Sequence, residues 1–232
     1  MIQTSFGPGW FIFPSIMIDF IAFFVLLMIS SFSFKYYKLN KKNKNYLYLA
    51  WSFLLICFSF GFKILTNLTI YYPIFRDTVA GPVVNAMASV RQYNIFSFLT
   101  FSGFVLCHLL GLFFLYAIYN KDKHKTHLFL IAYFILLSTY LSHLNYYIFH
   151  LTALFFLAIL SLIYLRKYSN NGYDNTKKLY YSFSILALSH LFFMFISVNQ
   201  YFYVMAETIQ LIGYLLLLFI LSTVVNYGKK KK

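Results

Sequence analysis

The chain has 232 residues, 61% hydrophobic, 23% aromatic and 10% charged, with a formal net charge of +14. A water-soluble domain of this length carries about 25% charged residues, so a soluble fold is excluded, and the length fits a single domain over 1–232. Nucleic acid is excluded as a partner because the cations fall in separate clusters between apolar runs and not in one basic footprint; anionic lipid headgroups account for them.

The first apolar run, about 10–34, has no positively charged segment before it and no small-residue cleavage site after it. It is expected to be a retained helix and not a removed signal peptide. Lys35, Lys38, Lys41, Lys42 and Lys44 follow, and then a second run over 46–71. The next break, 72–92, holds Pro73, Gly81, Pro82, Arg76 and Arg91. It reads as the one long connection, with one or two helical turns over Val83 to Arg91, and loops of that length are often functional.

A third run covers 93–119 and ends at Lys121, Lys123 and Lys125. Its Gly103, Cys107 and Gly111 are spaced i, i+4, i+8 and predict a close approach by a neighbouring helix. The fourth and fifth runs, 127–147 and 148–166, meet at a short polar hairpin, His143 to His150. After Arg166, Lys167, Lys177 and Lys178 come the last two runs, 178–199 and 201–226, and the chain finishes on Lys229 to Lys232. Cys57 and Cys107 both lie within apolar runs, without disulfide or metal spacing.

Each run is close to the roughly 20 residues needed to cross a bilayer. The resulting expectation is an all-α, polytopic bundle of seven transmembrane helices in the cell membrane. Sixteen of the nineteen cations fall on one side of such a bundle, two on the other, and Lys63 within a span. The excess of Lys and Arg on cytoplasmic loops then places the N-terminus outside and the C-terminus in the cytoplasm. Joining 127–166 into one helix would move two lysine clusters outside, so seven spans are preferred to six.

Ionisable side chains inside a span are expensive and normally face a partner or a cavity. Here they are Asp19, Lys63, His108, His190 and Glu207, with His143 and His150 at the outer ends of spans four and five. At about 1.5 Å per residue, Asp19, Lys63, His190 and Glu207 all lie roughly 9–13 Å below the outer span ends, and His108 roughly 21 Å below. Tyr203, Glu207, Gln210 and Tyr214 form one helical stripe. Ser59, Lys63, Thr66 and Asn67 form a second, and Ser15 with Asp19 and Thr139 with His143 and Tyr146 add polar faces on spans one and four.

Two readings of this layer are open. It is a structural ion-pair network, Asp19 or Glu207 with Lys63. Alternatively it is a ligand-binding cavity lined by Asp19, Lys63, His190, Glu207 and Gln210, opening outward under the 72–92 connection. As a cavity it predicts a sensor or receptor-like module that binds a small ligand without a cofactor, and His190 would make it sensitive to pH near neutrality. An alternative is a b-type cytochrome with haem on His108 and His190, whose estimated depths differ by about 8 Å; His143 and His150 match better in depth. A small transporter subunit is a further alternative, although broken spans and inverted repeats are not visible. No GxSxG, HExxH or paired-acid motif is present, so no enzyme activity is expected. The last helix has no lysine for retinal before Lys229, and the DRY and NPxxY signatures of G-protein-coupled receptors are absent.

Ser189-His190-Leu191-Phe192, followed by Glu207-Thr208-Ile209-Gln210-Leu211-Ile212-Gly213-Tyr214 and a leucine run, resembles the end of the seven-helix membrane sensor modules attached to prokaryotic histidine kinases. The resemblance covers about a quarter of the chain. It implies sensing of a small or membrane-borne signal. Such modules are normally followed by an output domain, and none follows in this sequence, so the expected relay is a cytoplasmic or membrane signalling partner.

Overall fold

A computed structural model describes residues 7–39, 41, 44–79, 86–119 and 125–230, with side chains except over 69–95, 97, 125–128 and 224–230. Among the described residues there are seven α-helices and no strand. They are α1 (Ile12–Leu39), α2 (Asn45–Val79), α3 (Ala86–Tyr119), α4 (Lys125–Ser142), α5 (Tyr147–Asn171), α6 (Asp174–Met194) and α7 (Tyr201–Lys230). A 3-10 turn, Gly9–Phe11, leads into α1.

The bundle is inside-out relative to a soluble protein. Ser15, Asp19, Ser52, Ser59, Lys63, His150, His190 and Glu207 are buried, while Phe13, Phe24, Phe129 and Phe155 are exposed. Water would penalise that exposed apolar surface, and hydrocarbon would not. Within the described residues five stretches are long and apolar enough to cross a membrane: Gly9–Leu39, Asn45–Leu68, Phe98–Tyr119, Tyr147–Asn171 and Tyr201–Thr223. Phe129–Ser142 on α4 is a shorter apolar helix. The chain is therefore a multi-pass helical membrane protein. α6 is less apolar because Asp174, Lys177, Lys178, Ser182, Ser184, Ser189 and His190 all fall within it.

Neighbouring helices pack in chain order around a ring that α1 and α7 close. α3 also packs on α5, so α4 sits outside the ring against both. Side-chain contacts give the directions. The Ser30 hydroxyl donates to the Ala50 carbonyl at 2.9 Å at one end of the α1–α2 pair, while Lys63 reaches Asp19 near the other. His150 meets His190 and Ser161 meets Ser184, which makes α5 and α6 antiparallel. Ser15 meets Tyr203 at 3.0 Å and Lys63 joins Asp19 to Glu207, which makes α1 and α7 parallel. The described cations Lys35, Lys38, Lys41, Lys44, Arg166, Lys167, Lys177 and Lys178 consequently gather at one end of the bundle.

Small residues set the closest helix approach. A Cβ on Gly111 would lie 2.5 Å from Ile56 Cγ1 and 2.8 Å from the Ser52 carbonyl oxygen, so α2 and α3 touch there because the position is glycine. The α5–α6 turn needs glycine for a different reason. Gly172 has φ 64°, and its N–H bonds the Tyr168 carbonyl at 2.8 Å, which ends α5.

The hairpin between spans four and five is confirmed as a break, residues 143–146 separating α4 from α5. The 72–92 connection is shorter than expected. α2 runs to Val79 and α3 starts at Ala86, so the turns anticipated over Val83 to Arg91 are largely the beginning of α3. Ala86 to Gln92 contains neither Pro nor Gly to stop a helix. The tip, 80–85, and the side chains around it, including Arg76 and Arg91, lie outside the described residues, as do Lys121 and Lys123.

Candidate functional site

The charged layer forms around Lys63. Its ammonium donates to Asp19 Oδ1 at 2.7 Å and to Glu207 Oε1 at 2.5 Å, joining α1, α2 and α7 at one point. Asp19 and Glu207 are fully buried, and Lys63 is 7% exposed. The expectation of one acidic partner for Lys63 is thus replaced by two. Asn67 Nδ2 approaches Asp19 Oδ2 at 3.4 Å, one turn above Lys63 on the same helix. Each carboxylate reaches the layer by helical spacing. Ser15 and Asp19 share a face of α1, and Tyr203, Glu207, Gln210 and Tyr214 form an unbroken buried stripe on α7.

Beside this triad lies a histidine cluster. His150 Nδ1 and His190 Nδ1 are 3.0 Å apart, linking α5 to α6. The His108 ring, from α3, is 5.6 Å from that of His190, and its Nδ1 is 3.2 Å from Ser59 Oγ on α2. Phe149 packs against all three imidazoles, and Phe193 stacks on His150 at 4.5 Å. Between triad and cluster is a void of about 10 Å³, bounded by Lys63, Tyr146, His150 and Gln210 with Phe60, Phe104, Phe149 and Phe193.

Three of the five expected site residues, Asp19, Lys63 and Glu207, are in direct contact. Gln210 meets Lys63 across the void, and His190 joins through His150. The expected outward cavity is a packed layer in the described residues. Its void has room for about one water, whereas small-molecule pockets occupy roughly 300–1,000 Å³. The suggested cover, 72–92, involves side chains outside the described residues.

Two expectations about depth and partners change. His108, placed deeper from the sequence, stands level with His190. Distance from a span end does not give depth here, because those ends are not level: α3 begins 22 residues before His108, but α5 begins only three before His150. Of the polar face expected on span four, Tyr146 borders the layer but His143 does not. His143 turns outward onto Ser102 at 2.7 Å and stacks on Phe98 at 4.0 Å, because α4 lies outside the ring. His150 takes the place expected of His143. Its signal was a histidine in the first turn of an apolar helix, which the polar hairpin masked.

A porphyrin does not fit between these histidines. His108 and His190 are in ring contact, His150 and His190 are hydrogen-bonded, and the adjoining void admits about one water. Among the described residues no group of three His, Cys, Asp or Glu side chains is arranged to hold a metal ion.

The fold and the buried layer define a helical multi-pass membrane protein with an intramembrane ionic core. No family model, no curated protein and no solved structure matches the chain.

Proposed function

We propose that the chain is a seven-span, receptor-like membrane sensor, with its N-terminus outside, its cation-rich end in the cytoplasm and the Lys63 layer as its signal-receiving element. One observation carries this reading: a single ammonium joins carboxylates from α1 and α7, the first and last helices of the bundle. A signal that competes for any member of that triad weakens three helix contacts together. Breaking one partner of a buried ion pair costs about 3–5 kcal/mol, enough to shift a two-state helix arrangement. Signal binding then alters the cytoplasmic ends of the helices, where a membrane or cytoplasmic partner reads them. The likeness of Ser189–Phe192 and Glu207–Tyr214 to histidine-kinase sensor modules supports the same class.

Spin labels at Lys38 on α1 and Lys178 on α6 test the reading. The distance between them, in lipid nanodiscs, is expected to change when Asp19→Asn or Glu207→Gln weakens the triad. Identical distance distributions in the parent and both variants would make the layer a structural lock and not a switch.

A further inference from the structure

We propose that the buried layer binds one exchangeable proton, held either on the Glu207 carboxyl or on the His150–His190 pair, with Lys63 and one water as its carriers. This names the ligand of the layer and rests on the sensor reading above.

The argument begins with charge. Asp19 and Glu207 supply two carboxyl groups, and Lys63 supplies one ammonium. If all three are ionised the layer carries a net negative charge inside the bundle, where an uncompensated charge costs several kcal/mol. One additional proton restores neutrality. Around the layer stand Asp19 from α1, Lys63 from α2, His108 from α3, His150 from α5 with Tyr146 just before it, and His190 from α6. Tyr203, Glu207 and Tyr214 complete it from α7. Among the described residues no further Lys, Arg, Asp or Glu lies with them to supply the missing charge.

Two places in contact with Lys63 or the void accept that proton. Glu207 Oε2 is buried and has no hydrogen-bond partner among the described residues, and neither has His150 Nε2. His108 Nε2 is likewise buried without a partner among the described residues. The Ser59 hydroxyl donates to the Ile56 carbonyl at 2.6 Å, so its oxygen accepts from His108 Nδ1–H. But His108 does not line the void through which the proton would come. In the His150–His190 contact one Nδ1 carries the hydrogen and the other accepts it. When His150 is the donor, its Nε2 is a bare lone pair, and protonating it leaves the bond to His190 intact.

The route follows printed contacts and the void. Lys63 and His150 both face the void, whose volume suits one water with Lys63, His150 and Gln210 as polar neighbours. The Lys63 ammonium gives a proton to that water, and the water gives one of its own to His150 Nε2. The Glu207 carboxyl, turning to bring its O–H to Nζ, returns a proton to Lys63. The products are carboxylate, ammonium, water and imidazolium. The layer is neutral before and after, so the proton moves without creating a buried net charge. It changes the Lys63–Glu207 contact from a charge–neutral hydrogen bond to an ion pair, and places a positive charge between α5 and α6.

The test uses full-length protein in lipid nanodiscs at neutral pH. Infrared spectra read the protonated-carboxyl C=O band, and ¹⁵N NMR of labelled histidine reads imidazolium against neutral ring. The parent is expected to show the carboxyl band, the imidazolium signal, or both. Asp19→Asn and Glu207→Gln, each leaving one carboxylate for one ammonium, are expected to lose both signals. Where the parent shows imidazolium, His150→Gln and His190→Gln are expected to return the proton to the carboxyl and strengthen its band; where it shows the carboxyl band alone, they are expected to leave that band unchanged. A parent with neither signal, or histidine variants that lose imidazolium without a gain in the carboxyl band, would overturn the proposal. The spin-label distances separate this result from the sensor reading. A proton found with unchanged distances removes the sensor and keeps the site, and moving distances without a proton do the reverse.

Discussion

Glu207 Oε1 lies 2.5 Å from Lys63 Nζ, across 144 residues of sequence and in a layer where both side chains are buried. Removing the lysine alone leaves two carboxyl groups without their counter-ion. Lys63→Met is therefore expected to destabilise the protein by about 3–5 kcal/mol. The triple change Asp19→Asn, Lys63→Met, Glu207→Gln is expected to recover most of that loss, since replacing a whole buried network is often neutral. Thermal unfolding in bicelles checks both, and a triple variant no more stable than Lys63→Met would contradict the pairing.

Packing between α2 and α3 makes a second prediction. Gly111→Ala puts a Cβ against the Ser52 carbonyl and the Ile56 side chain, and backbone cannot yield as a side-chain tip does. A loss of about 1–3 kcal/mol is expected from such overpacking. Gly9→Ala, with nothing within 4 Å of the new atom, is the control and should leave the melting temperature unchanged.

The proposed orientation makes a third prediction. In a Cys57→Ser, Cys107→Ser background, single cysteines at Lys44 and Lys178 should resist a membrane-impermeant maleimide in intact cells. A cysteine at Asn199 should react. Reaction at Lys178 from outside would reverse the orientation or remove a span.

The exposed Asp174–Lys178 pair predicts a small acid-side effect. The hydrogen bond from the Lys178 ammonium at 2.7 Å holds the Asp174 carboxyl below its ordinary value. Its contribution is present above that ordinary value and is lost as pH falls through the lowered one. Both side chains are exposed, so solvent screens the pair. Asp174→Asn should lower stability only slightly at neutral pH, leave it unchanged at acid pH, and so flatten the pH profile in the carboxylate range.

Hydropathy made the membrane class and the seven helices legible, because an apolar run is recognised by itself and needs no partner, and five of the described stretches are long and apolar enough to cross a bilayer. The α7 stripe was equally readable: Tyr203, Glu207, Gln210 and Tyr214 share one helix, and 3.6-residue periodicity places them on one face. That Lys63 needs an acid also follows from the cost of burying an ammonium. Which acid it meets does not, since Asp19 and Glu207 lie on helices that pair only when the ring closes. Position around the ring is likewise a property of the whole bundle. α4 and α5 are similarly apolar, yet α4 is left outside and α5 carries His150 inward. Composition along one helix records how polar its inner face is, while the identity of its neighbours depends on how seven such faces fit together at once.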